Sequence, residues 1–290
     1  MAITLNNIPV SFKDELLAGI EERSALAQVA PTTRIDLGDN LLTFSLGLQP
    51  AQIVAGTTMS DLPGEGEVKP VGDNGGMVTA RAYKFAQIIP VSAEYMYKLP
   101  RLYDEIIRQA PETIARGVDY EAFASTTAHD GFAGLNVVGN DYAPIATGST
   151  AYEQLAAAFN AVASAGYMPN AMVVSPAMGV QLMTMTAEDG HLVFGTGVDG
   201  VDRVFGAQVV SSSILGTGES IPAAIVGDFS KSRLGFVDDI RVKILEEATL
   251  TTGNGTINLA QQNMIGILVE GWAAFMCADG AFARIGGASE

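Results

Sequence analysis

The sequence predicts a mixed α+β fold, and three observations predict it. Residues 101–126 repeat an apolar side chain every fourth position, the signature of one long amphipathic helix. Several later segments alternate with period two or are apolar throughout, as strands do. Between residues 56 and 76 stand six glycines (Gly56, Gly64, Gly66, Gly72, Gly75, Gly76) and two prolines (Pro63, Pro70) with almost no apolar content. A compact domain does not bury such a stretch, so it should project from the body and rest on something else.

Taken in order, residues 11–29 read as an amphipathic helix, with Ser11 and Asp14 at capping-box spacing and Phe12, Leu16, Ile20 and Ala27 on one face. Residues 41–55 are short apolar runs broken by Gly47 and Pro50 and read as extended. After the glycine-rich arm, residues 77–91 are rich in Val, Tyr, Phe and Ile and read as a long strand. The 101–126 helix places Leu102, Ile106, Ala110, Ile114 and Val118 on its apolar face, and Pro111 should kink or interrupt it. A glycine-rich connection, 131–148, follows. Thr150 and Glu153 form a capping box ahead of Leu155, Phe159 and Val162. Residues 172–174 read as a strand, and Ser175-Pro176 as an N-cap with proline at the first helical position, opening a helix to about Ala187. Residues 207–210, 223–226, 240–244 and 264–269 complete the strands.

Composition narrows the function. The chain has 290 residues, enough for one large domain or two modest ones, and only 17% are charged, below the roughly 25% of ordinary soluble domains. Low charge content suits a surface largely covered by partners, because interface cores are depleted in Lys, Glu and Asp. The 16 basic residues face 32 acidic ones, a net charge of −16. Proteins that grip nucleic acid do so by neutralising phosphates with Lys and Arg, which an acidic chain without a basic run cannot do. One cysteine, Cys277, excludes an internal disulfide, and its apolar surroundings mark it as core packing. His129 and His191 have no partners at metal-ligand spacing, so neither a metal nor a cofactor is expected. The first nine residues lack a basic segment followed by an apolar one, and residues 264–278 are too short and too interrupted by Glu270 for a membrane span.

Motifs for ordinary catalysis are missing. Gly195, Gly197 and Gly200 match the spacing G-x-G-x-x-G, but Gly206 leaves no room for the helix whose N-terminus would face a pyrophosphate, so a surface loop is expected. No G-x-S-x-G, H-E-x-x-H, P-loop lysine or EF-hand pattern occurs. The acidic pairs Asp238-Asp239 and Glu246-Glu247 flank a strand and read as solvated edges.

Several segments, in order, carry a resemblance. They are 67–70 (EVKP), with a lysine before proline near the arm tip; 84–92 (KFAQIIPVS); the 101–126 helix with its exit at 131–135; Ser175-Pro176; 204–210 (VFGAQVV); 226–230 (VGDFS); and 262–270 (QNMIGILVE). Together they resemble the major capsid proteins of tailed bacteriophages with the Hong Kong 97, or Johnson, fold, over about residues 40–285. The resemblance implies an N-terminal arm (1–40), a peripheral-domain strand (41–55), an extended E-loop hairpin (56–88), a peripheral domain with a long spine helix (89–130), an axial domain (131–236), further peripheral strands (237–270) and an axial C-terminal segment (271–290). It implies hexamers and pentamers that close into an icosahedral shell around double-stranded DNA, assembled in the bacterial host cytoplasm and located in the virion capsid. It implies no enzyme activity beyond an autocatalytic isopeptide crosslink between Lys69 and Asn263 of neighbouring subunits, assisted by Glu270.

Asn263 and Glu270 are seven residues apart and so fall on opposite faces of a regular strand; a bulge or twist, at Gly266 for example, would have to bring them to one lysine. The residues before the resemblance are too few for the long scaffold helix some relatives carry; either a separate scaffolding protein guides assembly, or residues 11–29 serve alone, or the sequence is a mature form, and the resemblance further implies a portal and decoration proteins. Gly271-Trp272 also departs from the charged residue many relatives have after this glutamate. The alternatives are an encapsulin-type compartment shell and, more remotely, a soluble α/β nucleotide-binding enzyme using the 195–200 glycines.

Overall fold

The computed structural model describes residues 19–20, 22–35, 41–45, 77–94, 100–129, 132–137, 142–186, 193–194, 201–237, 241–252 and 255–286. Among the described residues the longer helices are α1 (Ala25–Val29), α2 (Pro100–Phe123), α3 (Ala151–Ser164) and α4 (Pro176–Thr184). The strands are β1 (Thr32–Ile35), β2 (Leu41–Ser45), β3 (Met77–Arg81), β4 (Tyr83–Ser92), β5 (Ile145–Ala146), β6 (Ala171–Val174), β7 (Arg203–Val204), β8 (Ala207–Ser211), β9 (Ala224–Gly227), β10 (Ser232–Val237), β11 (Arg241–Leu245), β12 (Thr249–Thr252), β13 (Gly255–Asn258), β14 (Met264–Cys277) and β15 (Phe282–Ile285). The glycine-rich arm with Lys69, the 195–200 glycines, His191 and Asp238-Asp239 lie outside the described residues.

The first sheet is built on β14, which runs well past the 264–269 expected of it. β4 lines one edge through ten consecutive pairs, Met264↔Ser92 to Ala273↔Tyr83, while β11 and β10 share the other edge and β1 adds in parallel to β10. β4 carries Pro90, which an edge strand tolerates because its outer side needs no donor. The expected 77–91 strand is divided at Ala82: β3 pairs with β2 and β4 with β14. Alternate residues of β14, from Ile267 and Val269 to Ala273, Phe275 and Cys277, enter the main core that α2 covers.

Helix α2 continues through Pro111 without interruption. The proline ring lies against Gly19, where an added Cβ would stand 3.5 Å from it. The described half of the helix buries Ile114, Ala115, Val118, Ala122 and Phe123, the stripe its periodicity predicts. Residues 11–18 of the expected 11–29 helix, with Ser11, Phe12, Asp14 and Leu16, lie outside the described residues; the described remainder is broken at Ser24, whose backbone is extended (φ −81, ψ 124). Ser24 Oγ accepts from Ala27 N and donates to Asp119 of α2 at 2.6 Å. The same carboxylate accepts from Ala25 N (2.8 Å) and Leu26 N (3.2 Å). A tertiary cap therefore outweighs local helix continuation here. Burial pushes the Asp119 carboxyl above its ordinary range, against these hydrogen bonds, which lower it.

The second sheet has the order β5-β15-β9-β6-β8-β7. One face (Ala171, Val173, Ile225, Phe282) joins the main core; the other (Met172, Val174, Ala224, Val226, Ala283, Ile285) is covered by α3 and α4. The capping box of Thr150 with Glu153 and the Ser175 cap with Pro176 are formed as expected, and α4 ends at Thr184. A buried hub ties this sheet to the end of α2. Asn136 Nδ2 donates to Ala124 O (2.9 Å) and Ser220 O (2.8 Å), and its Oδ1 accepts from Arg284 Nη1 at 3.0 Å.

Candidate assembly surfaces

The outer face of the first sheet carries the glutamate that the sequence singled out. Opposed residues in a ladder share a face, so the pairs Lys84↔Trp272 and Ala86↔Glu270 put Lys84, Glu270 and Trp272 together. Lys84 Nζ forms an ion pair with Glu270 Oε2 and sits 5.8 Å from the Trp272 ring centroid. Sequence reading missed Lys84 as Glu270's partner; an antiparallel register of β4 on β14 was the missing information.

Asn263 is not on this face. It precedes β14 with φ +52, is exposed, and its carbonyl accepts from Ala93 N. The ladder from Met264 to Ala273 is unbroken, so no bulge at Gly266 draws the two residues together. Seven residues of strand separate Asn263 from Glu270 by roughly 23 Å. One amine cannot touch both in a single subunit.

Where the inner edge of β4 meets the end of α2, a groove of about 270 Å³ is lined by Tyr83, Phe85, Glu121, His129 and Phe132, among others. His129 Nε2 lies 3.1 Å from Glu121 Oε2, and Phe132 packs edge-on against Tyr83. Glu246 and Glu247 are exposed beside β11. Cys277 is buried, and burial pushes its thiol well above the ordinary range, which suits packing and not nucleophilic attack. Among the described residues no three His, Cys, Asp or Glu side chains converge on a metal position, and no helix is long and apolar enough to cross a membrane.

On the second sheet the structure shows a feature that the sequence reading passed over. The β7–β8 hairpin turns on Phe205 (φ +49) and Gly206 (φ +87), so a bulky aromatic occupies the left-handed position that Asn or Gly usually fills. Its ring is half exposed and stands against Tyr152 (5.9 Å), Phe159 (5.1 Å) and Phe194 (5.8 Å). The dipeptide Phe-Gly between two short apolar runs is the signal that could have found it.

Comparison with known proteins places the chain in a family. The model of the family described as "Phage capsid family" matches residues 6–285. The chain belongs to the phage capsid family. This capsid protein shares its fold with solved structures from Microbacterium phage Oxtober96 (20% identity, TM-score 0.65, covering 91% of each chain) and Mycobacterium phage Bobi (23% identity, TM-score 0.63, covering 92% of this chain and 91% of that one). It is also similar to a structure titled as the capsid of an empty GTA particle computed with C5 symmetry (14% identity, TM-score 0.59, covering 92% and 90%). No curated protein matches the sequence. The α+β fold expected from the sequence is thus that of phage capsid proteins, and the protein is a major capsid subunit, a structural component of the virion shell that associates with copies of itself.

Proposed function

We propose that the subunits form hexamers and pentamers of an icosahedral shell around double-stranded DNA, assembled in the host cytoplasm on a separate scaffolding protein and completed by a portal. The observation that carries this reading is the family match over nearly the whole chain, together with a fold in which one 14-residue strand and one 24-residue helix organise the body. The net charge of −16 supports containment without adhesion, since an acidic wall repels packaged DNA. In this reading residues 56–88 form the E-loop, reached from the 41–55 strand. The pairing of Ser45 with Met77 supports it, since the excursion between them leaves and returns at one place. The second sheet with α3 and α4 serves as the axial domain, and the first sheet with α2 as the peripheral domain. Electron microscopy of negatively stained particles from cells expressing the chain with its neighbouring genes should show closed shells of six- and five-fold capsomers. Soluble monomers alone would contradict the proposal.

A Lys69–Asn263 isopeptide bond is a further part of the reading. The lysine amine attacks the carboxamide carbon, a C–N bond forms, ammonia leaves, and a carboxylate accepts the amine proton. An unperturbed lysine at roughly 10.4 is protonated at neutral pH, so burial at the contact would have to lower it. Since Asn263 and Glu270 of one subunit lie on the order of 23 Å apart, the assisting Glu270 must come from a different subunit than the Asn263 under attack. Boiled, denatured particles should then run as a ladder that disappears in Lys69→Ala. A single band at 30.3 kDa in the wild type would remove the crosslink and leave the shell reading intact.

A further inference from the structure

We infer that the groove between β4 and the end of α2 receives an extended segment of another protein, which adds to the free edge of β4 and turns a lysine or arginine towards Glu121. Four consecutive residues, Tyr83, Lys84, Phe85 and Ala86, line the groove. Neighbouring side chains on a strand point to opposite faces, so four in a row share a groove along the strand's edge, where the backbone lies. Among the described residues β4 pairs with β14 alone, and no strand covers its other edge. Exposed edges are ordinarily guarded by proline or by charged side chains such as lysine. Pro90 guards the far half of β4. Lys84 does not guard the near half, because its amine is drawn over the outer face to Glu270.

The remaining residues supply the side-chain chemistry. The rings of Tyr83, Phe85 and Phe132 line the groove, Phe132 standing 6.0 Å from Tyr83 and 6.3 Å from Phe85. Glu121 is the carboxylate among them. His129 Nε2 meets its Oε2 at 3.1 Å, and its Oε1 has no hydrogen-bond partner among the described residues. Aromatic faces beside a carboxylate attract a cation. The volume of about 270 Å³ is small for a ligand pocket and suits one long side chain. An open backbone edge and a pocket for one side chain are the two parts of recognition by strand addition.

Charge identifies the occupant as a different protein. The two longest stretches of this chain beyond the described residues are acidic. Residues 1–18 carry Lys13 against Asp14 and Glu15, and residues 46–76 carry Lys69 against Asp61, Glu65, Glu67 and Asp73. A strand from a second copy would add acids beside Glu121, in a chain already at −16. A basic segment of another protein brings the opposite charge.

Fluorescence anisotropy of a labelled, end-capped peptide, Thr-Val-Arg-Val-Thr, against the purified full chain tests this, with the same peptide carrying Glu in place of Arg as control. The arginine peptide should bind at least about tenfold more tightly, and its binding should slow amide exchange over residues 83–87. Glu121→Gln should weaken the arginine peptide about fivefold or more. It should melt within about 3 °C of wild type, since the Glu121–His129 pair is partly exposed. Adsorption to the acidic surface at large predicts equal binding of both peptides, equal binding to Glu121→Gln and unchanged exchange over 83–87. Any of these, or no binding at all, would overturn the inference. So would displacement of the arginine peptide by an equal concentration of a peptide of residues 64–72, which would make the occupant a second copy. The shell reading stands or falls separately, on the particles.

Discussion

The two sheets meet the same difficulty, an exposed face in an acidic chain, in opposite ways. The first sheet carries an ion pair and a cover: Lys84 lies over Trp272 and pairs with Glu270, while Ala274 and Met276 further along β14 are buried against Ile35, Ala80 and Val237. The second answers by leaving charge out, presenting Tyr152, Val180, Met183 and Phe205 over helices with a single acid. An ion-paired face tolerates water and yields modest free energy on contact. An uncharged apolar face needs covering.

Several substitutions would break or sharpen that contrast. The largest effect is expected at Gly227 of β9, where an added Cβ would fall 2.2 Å from the Phe282 ring, itself edge-on to Phe229 at 4.9 Å. Gly227→Ala should cost about 3 kcal/mol through overpacking and lower the melting temperature by several degrees. Unchanged melting would mean that the second sheet is looser than its packing indicates.

Asp119→Ala should follow, at roughly 2 kcal/mol, because it strands a buried serine hydroxyl and two backbone donors. Asp119→Asn keeps one acceptor and should cost less. The pH dependence has a definite sign. A carboxyl raised by burial contributes stability that is complete below its unfolded value and lost as pH rises through the folded one. The melting gap between wild type and Asp119→Asn should therefore widen from pH 7 towards pH 4. A gap that narrows would mean that the three hydrogen bonds outweigh desolvation.

The smallest effect belongs to the first sheet's surface. Lys84→Met should change folding by less than about 1 kcal/mol, since the lysine is 43% exposed and its pair is screened. A loss as large as that of Gly227→Ala would show that the ion pair is a structural element and would erase the contrast.

What the sequence disclosed follows the range of the interactions. Locally closed devices were readable: the Thr150–Glu153 capping box, the Ser175-Pro176 helix start, and the α2 stripe from Ile114 to Phe123 need only neighbours in the chain. The segment 226–230 reads as local chemistry too, with Asp228 Oδ1 accepting from Ser230 N and Phe229 buried. Features made by distant partners were not readable. Ser24 breaks a helix because of Asp119, 95 residues away, and β14 outruns the expected 264–269 strand because β10 meets its second half. Of the residues proposed for a crosslink, Asn263 and Glu270 were already read as lying on opposite faces of a regular strand, and the unbroken ladder shows that no bulge at Gly266 brings them together. Lys84 and Phe205 depend on a register and on a turn with two positive φ angles, neither of which periodicity encodes.

The most direct test of the shell role is electron cryo-microscopy of purified particles containing this chain. The account predicts a shell whose repeating unit accommodates β14 as one 14-residue strand beside the 24-residue α2. A shell density that this unit does not fit, with the chain present as a minor component, would contradict it.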